Sequence, residues 1–183
     1  IYERNSDGDW EQVGADIDGE VAGDWSGHSV SLSADGSTVA IGAFYNGGNG
    51  PYSGHVRIFQ RNVNGNWEQV GSDIDGETEN DYSGGSVSLS ADGRSVAIGA
   101  IGNDGNGTSS GHVRIFQRNV NGNWEQIGAD IDGEAAEDSS GWSVSLSADG
   151  SAVAIGAIGN DGNGSDSGHV RIYELNTPIQ AQQ

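Results

Sequence analysis

The 183-residue sequence lacks cysteine and methionine and has only two prolines. Without cysteine, neither a disulfide framework nor thiol chemistry is available. Basic residues are also scarce: seven Lys and Arg stand against 27 Asp and Glu, which gives a formal net charge of −20. A field of this sign repels phosphate backbones and anionic lipids, so we expect no nucleic-acid partner. No run approaches the roughly 18 apolar residues of a membrane span, so we expect no membrane insertion either.

The chain is organised instead by an internal repeat of 57 residues. Trp10, Trp67 and Trp124 are spaced by this period, and "SVSLSADG" and "SGHVRI" each occur three times. Residues 1–171 make three periods, so 1–183 is predicted to be one repeat array. The first residues, "IYER", correspond to the middle of a repeat, so we expect the true start of the chain to lie upstream.

Each repeat shows β-strand periodicity and no helical spacing. "SVSLS", "TVAIGA" and "HVRIFQ" alternate in side-chain type, "ADG" is a hairpin signal, and "WEQVGSDI" follows a Gly/Asn turn. The pattern predicts four short strands, named A to D in chain order, and almost no helix. One such unit cannot bury a core alone and needs neighbours on both faces. We therefore predict an all-β fold of β-propeller blades, each with four antiparallel strands.

The sequence "SGWSVSLSADGSAVAIGAIGNDGNGSDSGHVRIYEL" (140–175) resembles the FG-GAP-type repeat of integrin α-chain propellers and of many secreted proteins. That family has an "SVA"-type strand, a "VVVGAP"-type strand and a "G-x-V-Y-V-F" strand. Here "SGWSV", "VAIGA" and "GHVRIY" fill these places in order, and the resemblance covers all three periods. It implies a β-propeller fold and a secreted, extracellular or cell-surface protein.

The integrin-like members of that family carry a D-x-D-x-D-G calcium loop between the first two strands. The corresponding positions here read "SADGS" or "SADGR" and supply one carboxylate each: Asp35, Asp92 or Asp149. Ca²⁺ takes six to eight oxygen ligands, so we expect no calcium site in these hairpins. The sequence is closest to a branch of the family that lacks the calcium hairpin.

The strand pattern divides the array unevenly. We predict blade 1 at 28–74, blade 2 at 85–131, an incomplete blade 3 without its outer strand at 141–175, and a polar tail at 176–183. The missing outer strand has its counterpart in the N-terminal hairpin 1–17, which suggests strand donation. Three hypotheses follow: two chains exchange hairpins in a closed dimer, chains associate head to tail, or this is part of a longer chain with further repeats.

An acidic stretch recurs in every period, as "GADIDGEVAGD", "GSDIDGETEND" and "GADIDGEAAED". Alternate carboxylates of an extended segment project to one side, and oxygen ligands suit Ca²⁺. One interpretation is a repeated Ca²⁺ loop, and the other is a solvated turn whose carboxylates cap backbone amides. The candidate metal ligands are Asp16, Asp18, Glu20, Asp24, Asp73, Asp75, Glu77, Asp81, Asp130, Asp132, Glu134 and Asp138.

The loops between strands B and C are candidates for ligand binding. Two copies are rich in Gly and Asn and could hydrogen-bond a glycan, although the same residues are the usual ones for left-handed turns. The first copy, "FYNGGNGPYSG", brings aromatic rings that suit a sugar or protein contact. The candidate ligand-binding residues are Tyr45, Tyr52, Asn103, Asp104, Asn106, Asn160, Asp161, Asn163, Trp25 and Trp142. Asn106 and Asn163 also begin glycosylation sequons.

Three further residue types recur at the 57-residue period. We expect His55, His112 and His169 to point into separate blade interfaces, each paired with an Asp or a carbonyl group. The arginines two residues later are expected to bridge blades through acidic residues, and Trp10, Trp67 and Trp124 are expected to pack between strands. Trp25 and Trp142 lie off this Trp position and suit exposed contacts.

These features favour a non-enzymatic extracellular propeller that serves in adhesion, surface assembly or scaffolding. A carbohydrate-binding lectin is the alternative, and a glycoside-acting enzyme is the third candidate. No nucleophile elbow, metalloprotease motif or phosphate-binding loop is present. Catalytic carboxylates need differentiated environments, whereas nearly every acidic residue here has a copy 57 positions away. We also expect a protein or glycan ligand, self-association of the chain, and Ca²⁺ as the only candidate cofactor.

Overall fold

The computed structural model describes residues 2–175, and within this range the chain is all-β, without helix. The predicted fold class is therefore confirmed. Residues 2–175 accordingly contain no long apolar helix of the kind that crosses a membrane. The predicted tail, 176–183, lies outside the described residues. The strands are β1 (Tyr2–Arg4), β2 (Trp10–Gln12), β3 (Ser29–Leu32), β4 (Thr38–Ala43), β5 (His55–Arg61), β6 (Trp67–Gln69), β7 (Ile74–Asp75), β8 (Ser83–Leu89), β9 (Ser95–Ala100), β10 (His112–Arg118), β11 (Trp124–Gln126), β12 (Ile131–Asp132), β13 (Ser140–Leu146), β14 (Ala152–Ala157) and β15 (His169–Glu174).

The strands form three blade-like antiparallel sheets and one hairpin. Strands β3 to β7 make the first blade, β8 to β12 the second, and β13 to β15 a three-stranded third blade; β1 pairs with β2. Within each blade the first three strands are neighbours in chain order; a short turn joins the first two, and a longer Gly/Asn-rich loop joins the second to the third. At the Asp-Gly turn of the first blade, the Gly36 N–H donates to the Ser33 carbonyl at 3.0 Å, and Gly36 has φ +68°.

The outer strand of each five-stranded blade is broken into two pieces. In the first blade β6 pairs with the end of β5, whereas β7 pairs with its beginning. Val70 still donates to the Ile58 carbonyl, but Gly71 then turns the chain out of the ladder with φ +74°. The prediction of one continuous strand D over "WEQVGSDI" is therefore wrong in this respect.

The apolar core lies between neighbouring blades rather than within one. Ile58 of β5 and Leu89 of β8 belong to one buried cluster, and Ile115 of β10 and Leu146 of β13 belong to the next. Each blade presents the alternating apolar side chains of its strands to its neighbours, as the period-2 pattern predicts. Blade stacking therefore supplies the burial that a single repeat cannot.

Serine side chains join the first strands of successive blades. Ser31 Oγ accepts the Leu89 N–H at 2.9 Å, and Ser88 Oγ accepts the Leu146 N–H at 2.9 Å. The hairpin turns are also linked, since the Ala91 N–H donates to the carbonyl of Ala148 at 2.8 Å. The polar half of the "SVSLS" pattern therefore holds the inner strands side by side.

The N-terminal hairpin lies against the first blade. Arg61 on β5 donates to the Glu3 carboxylate, and Trp67 Nε1 donates to the Val13 carbonyl at 3.3 Å. The second blade makes the equivalent tryptophan contact to the first, from Trp124 Nε1 to the Val70 carbonyl at 2.9 Å. The hairpin thus takes the place of the outer strands of a preceding blade. Donation of this hairpin to the incomplete third blade of another copy of the chain remains a hypothesis.

Apolar side chains are exposed on the two outward faces of the array. Leu32 on β3 is 52% exposed and Ile172 on β15 is 74% exposed, whereas Leu89 and Ile115, one repeat away from each, are buried between blades. The outward side of β3 and the outward side of β15 are called the end faces below. Each end face has the chemistry of an inter-blade surface.

Candidate functional site

A histidine and two carboxylates meet at the junction between the first and second blades. His112 Nδ1, at the start of β10, lies 4.0 Å from both Glu77 Oε2 and Asp130 Oδ2. Glu77 follows β7 of the first blade, whereas His112 and Asp130 belong to the second. The three ligand atoms lie within 4.8 Å of one another. This group is called the junction cluster.

The cluster repeats one period earlier. His55 Nδ1 lies 3.9 Å from Glu20 Oε2 and 3.9 Å from Asp73 Oδ2. In the third repeat His169 Nδ1 lies 3.6 Å from Glu134 Oε2, and within residues 2–175 no aspartate joins this pair. The histidines lie at separate blade interfaces, as predicted, but the expected pairing of each with an aspartate or a carbonyl group is not met: among residues 2–175 the ring nitrogens of His112 have no hydrogen-bond partner, and His169 faces a glutamate alone.

Neighbouring groups orient the carboxylates of the junction cluster. Gln126 Nε2 donates to Asp130 Oδ1 at 2.6 Å, so the other oxygen, Oδ2, faces the imidazole. Arg114 Nη1 lies 3.7 Å from Glu77 Oε1, which leaves Oε2 toward His112. Arg114 Nη2 also donates to the Asp75 carbonyl at 2.6 Å, which confirms the predicted role of this arginine in bridging blades. The arrangement is therefore built by several independent contacts.

The imidazole of this cluster is deeply buried and chemically unsatisfied. His112 is 1% exposed, and neither ring nitrogen has a hydrogen-bond partner among the described residues. Burial is the main cause that lowers the pKa of His112 below its ordinary 6.5, and the positive charge of Arg114 lowers it further. The ring is therefore neutral at pH 7 and keeps a lone pair on one nitrogen.

The last aspartate of each acidic stretch caps a turn. Asp81 Oδ2 accepts the Glu77 N–H at 3.1 Å and the Thr78 N–H at 2.9 Å, and Asp81 is buried. Asn103 Nδ2 donates to Asp81 Oδ1 at 3.4 Å. Asp24 and Asp138 make the corresponding contacts in their repeats. These contacts match the interpretation of the stretch as a turn whose carboxylates cap backbone amides.

The structure does not gather the four acids of one stretch into a single cluster. Asp16, for example, accepts a hydrogen bond from Gln12 Nε2 at 2.8 Å and is exposed. Asp18 is exposed as well, and its backbone carbonyl accepts from Arg57 Nη2 at 2.6 Å. Within residues 2–175, three potential ligand atoms come together only in the two clusters described above, which combine acids of successive stretches with a histidine. Ca²⁺ binding by the acidic stretch stays a prediction.

The Gly/Asn loops are held by their own side chains. Asn103 Oδ1 accepts the Gly105 N–H at 2.9 Å, and Asn106 Nδ2 donates to the Gly133 carbonyl at 2.8 Å. Asp104 Oδ1 accepts the Ser109 N–H at 2.8 Å. Asn160, Asp161 and Asn163 occupy the same positions one repeat later. The Asn103 and Asn106 side chains thus support the loop, which leaves less of them for a glycan ligand.

Four aromatic residues of the first repeat form one continuous patch with Tyr82 of the second. Trp25 lies 4.9 Å from Tyr45 and 5.8 Å from Phe44, measured between ring centroids. Tyr52 lies 5.1 Å from Tyr45 and 6.1 Å from Tyr82. Trp25 is 60% exposed, and Tyr52 is also exposed. These five side chains are called the aromatic patch.

Three of these aromatic residues have left-handed backbone conformation. The φ angles are +56° at Trp25, +57° at Tyr52 and +56° at Tyr82. Bulky residues rarely adopt this conformation, which costs of the order of 1–3 kcal/mol. The third repeat has Ser139 in the position of Trp25, with φ +52°. The loop backbone is therefore common to the repeats, and only the side chains differ.

The remaining tryptophans differ in exposure. Trp67 and Trp124 are partly buried against core clusters, as predicted, whereas Trp10 is exposed on the N-terminal hairpin, so the prediction that it packs is wrong. The described residues supply no preceding blade for Trp10 to pack on. Trp142 is exposed, as expected, and lies at the repeat position of His28, outside the aromatic patch.

Two segments of the chain match the family model of the FG-GAP repeat, residues 73–116 and 129–173. Each runs from the end of one outer strand, through the acidic stretch, to the third strand of the next blade. These are FG-GAP repeats. Each match therefore crosses a blade junction and includes one glutamate and one histidine of the pairs described above.

Similarity to a solved structure supports the fold. The chain is similar to Pseudomonas aeruginosa periplasmic gluconolactonase, PpgL, a β-propeller protein, with a TM-score of 0.52 at 18% identity over 80% of this chain and 38% of that one. It also aligns with Kuenenia stuttgartiensis hydrazine synthase, with a TM-score of 0.49 at 14% identity over 80% of this chain and 44% of that one. This chain thus spans less than half of either protein. Comparison with curated proteins found no match.

The first hairpin of the 57-residue repeat uses its one carboxylate within the turn. Asp35 accepts hydrogen bonds from Ser33 Oγ at 2.7 Å and from the Ser37 N–H at 2.9 Å. These bonds, with that of Ser33 foremost, lower the pKa of Asp35 to about 2. The carboxylate stabilises the hairpin.

Sequence reasoning missed two features of these FG-GAP repeats. It treated the histidines and the acidic stretches separately, although Glu77 and His112 meet across a blade junction. It also omitted Tyr82 from the ligand-binding candidates, although Tyr82 stands one repeat after Trp25 and continues its aromatic character. Both features could have been found by combining the 57-residue repeat period with the order of the blades along the chain.

Proposed function

We propose that this FG-GAP protein is a non-enzymatic extracellular propeller for adhesion and surface assembly, and that the aromatic patch contacts its protein partner. The observation that carries the proposal is the exposure of Trp25 and Tyr52 on one continuous group of five rings. Tyrosine and tryptophan are enriched at protein interfaces, where they supply large contact areas and polar edges. The patch gives one end of a repetitive scaffold a distinct chemistry.

The backbone at the patch supports a binding role. Trp25, Tyr52 and Tyr82 hold left-handed conformations that disfavour bulky side chains. Serine stands at the equivalent positions Ser139 and Ser109, where the same backbone carries a small side chain. Large rings that stay exposed despite this cost are more readily explained by a ligand than by folding.

The repetition of acidic residues supports the non-enzymatic part of the proposal. Catalytic acid and base groups need environments that separate their pKa values. Asp24, Asp81 and Asp138 instead share one environment, in which each caps the turn of its own repeat. Carboxylates used in this way stabilise the turns of the fold.

A neutral glycan is the second candidate ligand. Trp25 presents an exposed indole next to Tyr45, whose ring is tilted by 56° relative to it, so the two rings form an angled surface. Aromatic faces can pack on the apolar side of a sugar while nearby hydroxyl groups bond its polar edge. The observation in favour of a glycan is this combination of rings and phenolic groups.

The end faces support the assembly part of the proposal. Leu32 and Ile172 are exposed, although their repeat counterparts are buried between blades. A like repeat, from a second copy or from further sequence of a longer chain, would cover them with the contacts already present between blades. Assembly and ligand binding therefore use different surfaces.

A double variant tests the proposed ligand surface. Trp25→Ser and Tyr52→Ser together introduce the residues that the chain itself has at these positions in other repeats. The wild-type protein and the variant are each applied to arrays of purified extracellular proteins and of glycans. We expect a protein ligand whose binding falls by about 10-fold or more in the variant, since each lost aromatic anchor typically costs at least about 1–2 kcal/mol.

The control is Trp142→Ser, which removes an exposed indole outside the patch and should leave binding unchanged. A glycan hit that the double variant loses would identify the lectin function instead. Absence of any ligand, or equal binding by the wild type and the double variant, would contradict the proposal.

A further inference from the structure

The junction cluster has the composition and orientation of a metal site. It offers one imidazole nitrogen and two carboxylate oxygens, which are ligands that divalent transition metals accept. Each carboxylate is oriented by a second contact: Asp130 by Gln126, and Glu77 by Arg114. Such outer contacts commonly orient metal ligands.

The spacing of the three atoms leaves room for an ion between them. His112 Nδ1 is 4.0 Å from each carboxylate oxygen, and all three atoms are within 4.8 Å. An ion at the centre of such a triangle lies about 2.2–2.5 Å from each corner, close to the roughly 2.0–2.2 Å of zinc bonds to nitrogen and oxygen. Shifts of a few tenths of an ångström would complete the coordination.

The unsatisfied imidazole is the observation that points to a ligand. His112 is 1% exposed, and within residues 2–175 neither ring nitrogen has a hydrogen-bond partner, although Nδ1 is aimed between the two carboxylates. A buried polar group without a partner is costly, so a group that satisfies it is expected there.

We propose that Glu77, His112 and Asp130 bind a divalent transition-metal ion such as Zn²⁺ at the junction of the first and second blades. Glu20, His55 and Asp73 form a second site of the same composition one repeat earlier, where the segment between the N-terminal hairpin and β3 meets the first blade. Glu77 comes from the first blade and the other two ligands from the second, so the ion joins neighbouring blades. This site is distinct from the family's calcium hairpin and does not depend on the aromatic patch.

Zinc titration of the full chain, after removal of metal with EDTA, tests the proposal. Isothermal titration calorimetry should give two Zn²⁺ per chain for the wild type, one for His112→Gln and none for the variant that combines His55→Gln and His112→Gln. Zn²⁺ should also raise the melting temperature of the wild type, because an ion that binds only the folded state stabilises it. Co²⁺ should give visible absorption bands that the same substitutions remove.

Asp130→Asn tests the site without changing the buried ring. Asp130 has 31% of its side chain exposed, and asparagine can still accept the hydrogen bond from Gln126, so this variant should fold. We expect affinity at this site to fall by at least about 10–100-fold. His28→Gln is the matched control: His28 is exposed and outside both clusters, so its removal should leave two ions bound.

Three outcomes would overturn the proposal. The first is the absence of Zn²⁺ binding by the wild type. The second is an unchanged stoichiometry in the double histidine variant, since the ions would then bind surface carboxylates. The third is Ca²⁺ that displaces Zn²⁺ at equal concentration, because an oxygen-only site would then be responsible.

Discussion

Ser88 Oγ accepts the backbone N–H of Leu146 across the junction between the second and third blades at 2.9 Å. Leu146 is buried, so the loss of this acceptor would leave its N–H without a partner. We predict that Ser88→Ala lowers the free energy of unfolding by about 1–2 kcal/mol, the usual cost of an unsatisfied buried donor. Urea denaturation monitored by tryptophan fluorescence measures the change.

Ser145→Ala is the control for this substitution. Ser145 has the same place in the "SVSLS" motif but is exposed, and no described residue bonds its hydroxyl. Its replacement should change the free energy of unfolding by less than about 0.5 kcal/mol. Equal effects of the two substitutions would show that the inter-blade bond contributes nothing.

Gly84 and Gly27 allow the cost of a steric clash to be measured separately from the cost of a left-handed backbone conformation. Both have positive φ, +85° and +92°. A Cβ on Gly84 would lie 2.5 Å from the His55 carbonyl oxygen, whereas one on Gly27 would meet no described atom within 4 Å. Gly27→Ala should therefore cost about 1–2 kcal/mol, and Gly84→Ala about 1–3 kcal/mol more because its neighbours must move. Thermal and urea unfolding of both variants give the comparison, and equal losses would be evidence against tight blade contact.

The Asp35 hairpin makes a prediction about pH. Its pKa of about 2 is below the ordinary 3.8, so the ionised carboxylate is the form that stabilises the fold. This contribution is present above pH 4 and is lost as the pH falls toward about 2. Ser33→Ala removes the strongest hydrogen bond and should raise the pKa of Asp35 toward 3.8. Carboxyl-carbon NMR measures it, and Asp149, with a pKa of about 2 in its own hairpin, is the internal reference that should not move.

The exposed apolar end faces predict that the chain self-associates and that a charged substitution there prevents this. A glutamate at Leu32 or at Ile172 places a charge on an apolar inter-blade surface, which is unfavourable to bury without a partner. If copies of the chain stack through these faces, each substitution should convert the assembly to a monomer in light scattering coupled to gel filtration. Val63→Glu, in an exposed turn away from both faces, should not. An assembly that persists in both variants would exclude the end faces.

The strand order could be predicted because burial in this fold follows the period of two. Val30 and Leu32 alternate with serines in the sequence. Their counterparts in the next repeat, Val87 and Leu89, lie in the core, whereas Ser88 between them makes an inter-blade hydrogen bond. The break in the outer strand was not predictable from alternation, since it depends on the left-handed turn at Gly71. Glycine has that freedom everywhere in this glycine-rich chain, so its presence alone did not mark the position.

The junction cluster could be predicted only in part. The repeat showed which residues are equivalent, and this was enough to place each histidine at its own interface. It did not show that Glu77 leaves the first blade and reaches His112 of the second, because equivalence along the sequence carries no information on contact across a junction. The aromatic patch has a similar limit, since it joins Tyr52 to Tyr82 across repeats.

The left-handed loop positions have a consequence for how new recognition could arise in such an array. Trp25 and Ser139 have nearly the same φ, as do Tyr52 and Ser109. An interaction surface can therefore be moved from one blade to another by exchanging side chains, without remodelling any loop. A single chain could in this way bind different partners through different blades, while the main-chain conformation of every blade stays the same.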